Sequence, residues 1–439
     1  MRRAADAVMA LLAALLVRVF FRDLEVTGGA SLPRGPTVLV SNHQNGLVDG
    51  LVLMAALSRH PRFLGKSTLW KILPLRPFLA LAGVIPLHRA SEVDGSAPPG
   101  REAGNDEAFT TSRRLLGRGA MVSIFPEGIS HDRSSVQPLR TGAARIALGA
   151  AAEDALADVV VVAAGLLYDD KSRFRSRAVV RVGEARPVEP YVAPYATDAR
   201  GTVRTLTDDI AGDLRAVAPD YRSWEFAKRC SHVADLAVLR PGPPGAAHLA
   251  DREVVTRRVA ELAGRDREPF ERLSAEVTTY RRDVAQLGLS DEQLIADYPR
   301  CRYRRTLAWS VLKVAVTAPV VGIAITVHAV PYRLIKALAR LPDNEGMRAT
   351  VKVGGGFGLF TLTYLGLAVF VARRHGALAG LVAFVATPAS GYVAVLASER
   401  LDRAGGMTRS AEALRHHRST ITELRARRLR LAEAVERWL

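Results

Sequence analysis

The chain has 439 residues, 49% of them hydrophobic, with 61 Lys and Arg against 44 Asp and Glu, a formal net charge of +17. That length allows two or three domains, and that charge calls for an anionic partner, either nucleic acid or an acidic membrane face. So large an apolar share argues against a soluble nucleic-acid binder, and Cys230 and Cys301, the only two cysteines, support neither a disulfide framework nor a cysteine zinc site.

The N-terminal run MRRAADAVMALLAALLVRVFF opens like a signal peptide, but no small-residue cleavage site precedes Arg22. It is short for a bilayer span and carries Arg18. Residues 1–30 are therefore expected to form a membrane-associated helix lying at the interface or re-entering it, with a buried core helix as the alternative.

From Pro36 to about Pro190, β-branched runs alternate with helical patterns. PTVLVSNH, AMVSIFPEG, DVVVVAAGLLY and RAVVRVGEA read as strands ending in turns, and DGLVLMAALSRH reads as a helix. Such alternation predicts an α/β layer fold over residues 31–197. Ser91 to Glu107, rich in Gly, Pro and polar residues, reads as a surface loop.

Residues 198–300 lose the β-branched runs and gain charges at helical spacing, which predicts a helical region solvated on one face. Residues 301–400 hold three apolar stretches, roughly Leu307 to Tyr332, Gly354 to Ala372 and Gly376 to Ser398. The second and third are each long enough to cross a bilayer, and Pro319 with Gly322 suggests a re-entrant or hairpin element in the first. Lys and Arg cluster before Leu307, between Arg333 and Lys352, and through residues 401–439. By the positive-inside rule these ends, and a basic tail, face the cytoplasm.

Within the α/β region, His43 stands where a strand ends and Asp49 where the next helix begins. Ligands bind at such strand ends in open α/β sheets. A carboxylate folded back onto one ring nitrogen would fix the tautomer and leave the other nitrogen to take a proton from a hydroxyl. Alone, this pairing arises readily by chance, and Asp49 would serve equally as a carboxylate at a helix start. Three further segments add to it. GVIPLHR places Arg89 at a turn, where a bidentate guanidinium suits a phosphate. SIFPEGISHDRS puts Glu127 and Gly128 behind a strand, and PLRTGAARIALGA sets Arg140 before Gly142 and a helix. His131 to Arg133 and the Arg415 to Arg418 run read as solvated, and no metal-ligand cluster is visible.

Taken in order, NHQNGLVD, GVIPLHR, FPEGIS with LRTGAARIAL, and VVVAAGLLY resemble the motifs of the glycerol-phosphate and lysophosphatidic-acid acyltransferase family, over about Leu11 to Val188. Five residues, Gln44 to Val48, separate His43 from Asp49, one more than in most of the family, which is similar to a subgroup with C-terminal membrane segments. The resemblance implies a membrane-bound acyltransferase with His43 as general base on the acceptor hydroxyl and Asp49 orienting it. Arg89 and Arg140 would hold the acceptor phosphate, with Glu127 and Gly128 shaping that pocket. Acyl-CoA or acyl carrier protein would be a co-substrate, glycerol-3-phosphate or lysophosphatidic acid the acceptor, and no cofactor or metal is implied. The expected partners are membrane lipids and an anionic bilayer surface, not nucleic acid, and the expected location is the inner or cytoplasmic membrane. Another lysophospholipid or a non-glycerol lipid as acceptor, or a non-catalytic membrane protein, are the rival readings.

Overall fold

A computed structural model describes residues 2–29, 32–72, 75–87, 101–153, 156, 158–171, 173–239, 249–295, 300–341, 348 and 351–439. The chain divides into two units, Met1–Asp220 with Ala339–Gly354, and Tyr221–Leu338 with Gly355–Leu439.

The first unit is built on a seven-stranded sheet of order β1-β7-β6-β2-β5-β3-β4. Its strands are β1 (Phe21–Thr27), β2 (Thr37–Ser41), β3 (Pro61–Lys66), β4 (Ile85–Leu87), β5 (Met121–Ile124), β6 (Val160–Tyr168) and β7 (Ser176–Pro187). β6, β2, β5, β3 and β4 run parallel, and β7 turns antiparallel against β6 and carries β1 parallel to itself. The helices in chain order are α1 (Arg2–Phe20), α2 (Leu47–Ala56), α3 (Arg76–Ala82), α4 (Arg101–Leu116), α5 (Gly142–Leu148), α6 (Val192–Thr197) and α7 (Ala199–Val217).

Both faces of the sheet are covered, which is why its central strands read as unbroken apolar runs rather than alternating ones. Val38, Val40, Val122, Ile124 and Val161 pack against Ala108 and Leu116 of α4, Ala144 and Ile146 of α5, and Leu206, Ile210 and Leu214 of α7. Leu39, Met121, Val162, Ala164 and Leu166 pack on the opposite face against Met9, Ala13 and Val17 of α1 and Val48, Val52 and Leu53 of α2.

Several boundaries differ from those expected. α1 buries one stripe in the core while Val8, Leu11 and Leu15 stay exposed on the other, and β1 joins the sheet, so residues 1–30 belong to the α/β unit. α7 lays its apolar stripe on the sheet, which carries that unit past residue 197 to Asp220. Of the surface loop expected over Ser91 to Glu107, residues 91–100 lie outside the described residues, and Arg101 to Glu107 instead form the start of α4.

The second unit holds only helices among its described residues: α8 (Trp224–Val238), α9 (Leu249–Arg265), α10 (Arg267–Gln286), α11 (Asp291–Ile295), α12 (Arg300–Leu338), α13 (Gly356–His375), α14 (Ala377–His416) and α15 (Arg418–Trp438). Cys230, Val233, Phe270, Val277 and Tyr280 share a core with Leu424, Leu431 and Val435 of α15. The end of the basic tail is thus a packed amphipathic helix, and its Arg428 is buried against Asp291 at 3.2 Å.

Three helical segments, Val311–Leu338, Gly356–His375 and Ala377–Gly406, are long and apolar enough to cross a membrane. The first was expected to break. Instead α12 runs through Pro319 and Pro331 without ending, since a helix tolerates the single bond each proline removes when its neighbours restore the rest. At Gly380 a Cβ would lie 2.5 Å from that of Ala372, so only glycine lets α13 and α14 approach this closely.

Candidate active site

The site lies at the C-terminal ends of β2, β5 and β6. Past Ser41, the Asn42 side chain continues the pairing with β6: its amide donates to the Leu166 carbonyl at 3.0 Å and its oxygen accepts from Leu166 N at 2.7 Å. That clasp fixes where the strand stops and sets His43 beyond it. Gly46, at φ 54°, then turns the chain in a conformation that favours glycine, and α2 begins with Asp49 in its first turn.

This turn brings together the two residues the sequence singled out. His43 Nδ1 lies 2.9 Å from Asp49 Oδ2. Asp49 is fully buried and the His43 side chain is 13% exposed. An ionised carboxylate only accepts hydrogen bonds, so Nδ1 is the donor and Nε2 carries the lone pair. The carboxylate is satisfied on both oxygens: Oδ2 also accepts from Asn45 N at 2.8 Å, and Oδ1 accepts from the Tyr168 hydroxyl at 2.5 Å. Burial, followed by the Asp49 charge, pushes the Tyr168 phenol well above its ordinary range, so it remains a donor. On its other side the His43 imidazole stacks on Phe125, ring centres 4.1 Å apart.

The loop after β5 holds the histidine from below. His43 N donates to Glu127 Oε2 at 2.8 Å, and Glu127 Oε1 accepts from Gln137 N at 2.9 Å. His131 Nε2 also stands 2.9 Å from that Oε1. Glu127 is therefore buried in the loop and shapes the site from behind, without reaching the cavity wall. His131, expected in solvent, is packed there, and its backbone N–H donates to the His43 carbonyl at 3.0 Å.

His43 lines a cavity of about 820 Å³. One wall is apolar, with Leu47, Met54, Phe63, Leu64, Leu79 and Val84; elsewhere Ser130, Arg140, Thr141 and Arg145 face it. Gly128, at φ +74°, lets the Arg140 side chain pass over it. Arg145, on α5, stands over the Phe109 ring at 5.1 Å and adds a second cation that sequence reasoning passed over. Its place five residues after Arg140, in the same motif, was the available signal. Arg89 lies outside the described residues. No cluster of His, Cys, Asp or Glu able to hold a metal occurs among the described residues.

Taken together, these groups offer an oriented base with a free lone pair, in a cavity that two arginines and several apolar side chains also line. Such a site can deprotonate a hydroxyl on an anionic molecule next to a long apolar chain.

Part of the chain is similar to known acyltransferases. Residues 23–166 match the model of the acyltransferase family. Glycerol-3-phosphate O-acyltransferase 2 of Saccharomyces cerevisiae is 33% identical over 195 residues, 44% of this chain and 26% of its own. An uncharacterized acyltransferase of Schizosaccharomyces pombe is 26% identical over 366 residues, 64% of this chain and 54% of its own. Among solved structures, the 1-acyl-sn-glycerophosphate acyltransferase of Thermotoga maritima aligns with 49% of this chain and 80% of its own, at 14% identity and a TM-score of 0.35. The chain thus spans about half or less of the length of the two yeast relatives.

Proposed function

From the acyltransferase domain at residues 23–166, we propose that this chain moves a fatty acyl group from acyl-CoA, or from acyl carrier protein, to a hydroxyl of glycerol-3-phosphate or lysophosphatidic acid. The observation that carries this reading is the 2.9 Å contact of His43 with Asp49 on the wall of a cavity that Arg140 also lines. Packing alone needs no buried carboxylate aimed at a largely shielded imidazole that shares a cavity with a cation.

The acceptor phosphate rests on Arg140 and Arg145, whose guanidinium forks match its oxygens. The acyl chain lies along Leu47, Met54, Phe63 and Val84. His43 Nε2 takes the proton of the acceptor hydroxyl while Asp49 stabilises the imidazolium. The hydroxyl oxygen bonds to the thioester carbonyl carbon, the carbon–sulfur bond breaks, and the departing thiolate takes the proton back from His43. Ester and free thiol result, and the base is restored.

Acyl chains partition into lipid, so the apolar helices keep the enzyme with its substrates. The basic residues Arg333, Lys336 and Lys352, at the end of the first of those helices and before the second, support a cytoplasmic placement of that connection.

An acyl-transfer assay on membranes holding wild type or His43→Ala, with labelled acyl-CoA and each acceptor offered separately, tests the reading. Activity on one acceptor that vanishes in the variant is expected, and it identifies the acceptor. Equal activity in both proteins removes His43 as the base. Transfer only to another lysophospholipid keeps the chemistry and replaces the acceptor.

A further inference from the structure

Asp49 reaches His43 through one oxygen, and its other oxygen is claimed by a residue from a distant part of the chain. β6 pairs with β2 up to Ser41 opposite Ala164 and then continues to Tyr168, past the end of β2. That overhang carries the Tyr168 ring across the turn between His43 and Asp49. Phe21 of β1 stacks on the ring, centres 5.6 Å apart and planes 24° apart, and the hydroxyl meets Asp49 Oδ1 at 2.5 Å.

We propose that Tyr168 is a positioning residue for the His43–Asp49 pair: its hydroxyl fixes the carboxylate plane so that Oδ2 faces His43 Nδ1, and it draws off part of the carboxylate charge. This rests on the acyl-transfer reading for its catalytic consequence, though not for the contact itself.

Two physical reasons support the assignment. A carboxylate held at Oδ2 alone, by His43 and by Asn45 N, is restrained on one side only, and a donor at Oδ1 fixes the other side and so the plane. Short O–H···O⁻ bonds are also among the stronger ones, and the phenol stays protonated because burial and the adjacent charge push its titration far upward. The other charged or titratable groups around the pair come from separate elements. Glu127 accepts from His43 N, His131 stands behind Glu127, and Lys171 donates to the Gln44 carbonyl at 3.3 Å. None of these contacts Oδ1 of Asp49.

Tyr168→Phe is the informative variant, since it removes only the oxygen and keeps the stack on Phe21. In the whole 439-residue chain we expect kcat to fall roughly 10-fold, a fraction of what a positioned base supplies, with the KM values for donor and acceptor little changed. Without the phenol, Oδ1 keeps its full charge and holds a protonated imidazole more firmly. The acidic limb of the kcat/KM profile then moves to higher pH. A second measurement needs no turnover: carbethoxylation of His43 by diethyl pyrocarbonate, followed by peptide mass spectrometry across pH, reads the neutral imidazole directly. Its midpoint is expected to rise in Tyr168→Phe relative to wild type.

Wild-type kcat with an unmoved pH profile and an unmoved midpoint overturns the proposal and leaves acyl transfer intact. If wild type transfers acyl groups to none of glycerol-3-phosphate, lysophosphatidic acid and other lysophospholipids, the functional reading fails, and the carbethoxylation midpoint alone then decides the role of Tyr168.

Discussion

The Arg140 side chain fills the space that a side chain on Gly128 would need: a Cβ there would lie 2.5 Å from Arg140 Nε and 2.7 Å from its Cδ. The glycine is also at φ +74°, where a side chain costs about 1–2 kcal/mol. Gly128→Ala therefore has two separable effects. Denaturation should show a stability loss of about that size, and steady-state kinetics should show a higher KM for the phosphorylated acceptor because Arg140 is displaced. An unchanged acceptor KM would mean that Arg140 does not bind the phosphate.

Substitution of either cavity arginine should weaken acceptor binding. Arg140→Lys keeps the charge but loses the planar fork, and a charged hydrogen bond of about 1.5–3 kcal/mol converts to an acceptor KM raised roughly 10- to 100-fold. Arg145→Ala should raise the same KM and weaken inhibition by inorganic phosphate. If Arg145→Ala moves neither, its guanidinium serves only its packing on Phe109.

In the helical unit, burial and then Arg281, Lys228 and Arg252 push the His232 imidazole down to about 4. Its ordinary value is near 6.5. The unfolded chain therefore takes up a proton before the folded one does. The associated stability is complete above pH 6.5 and is lost as pH falls from there toward 4. With partial exposure screening the effect, about 1–2 kcal/mol is at stake. Thermal unfolding of wild type and His232→Gln across this range should show a steeper decline for wild type. Parallel curves would place the acid sensitivity elsewhere.

Cys230 is fully buried, and burial pushes its thiol up to about 12. Only thiolate is nucleophilic, so iodoacetamide at pH 8 should leave the Cys230 peptide unmodified in folded protein and alkylate it fully in denaturant. Prompt labelling of the folded chain would show that the core formed by α8 and α10 opens readily.

How far the sequence predicts this arrangement depends on the distance over which each relationship acts. His43 and Asp49 are local: a strand end, a glycine turn and a helix start all fall within one short stretch, so their meeting was legible. Arg140 and Gly128 were legible as a pair of motifs on one loop, although their mutual contact was not. Tyr168 was hidden because it stands 119 residues from Asp49 and reaches it only through the pairing of β6 with β2. β1 and β3 escaped notice because FRDLEVT carries charges at its exposed positions and PRFLGK contains both Pro and Gly, residues that weaken a strand pattern. α7 was expected only within a helical region solvated on one face, and α15 only as a basic tail, for a related reason. Their charged faces dominate the composition, while a narrow apolar stripe decides where they pack.

The three loops at the strand ends are tied to one another. Gly46 N donates to Ser130 Oγ at 3.2 Å, Gln44 Nε2 to the Arg133 carbonyl at 3.2 Å, and Asn45 Nδ2 to the Lys171 carbonyl at 3.3 Å. Lys171 is further paired with Asp132. Anyone grafting a new selectivity onto this scaffold should therefore transplant these segments as a set. Exchanging one alone would sever its ties to the other two, and the damage would spread to the histidine even though no residue that touches substrate had been altered.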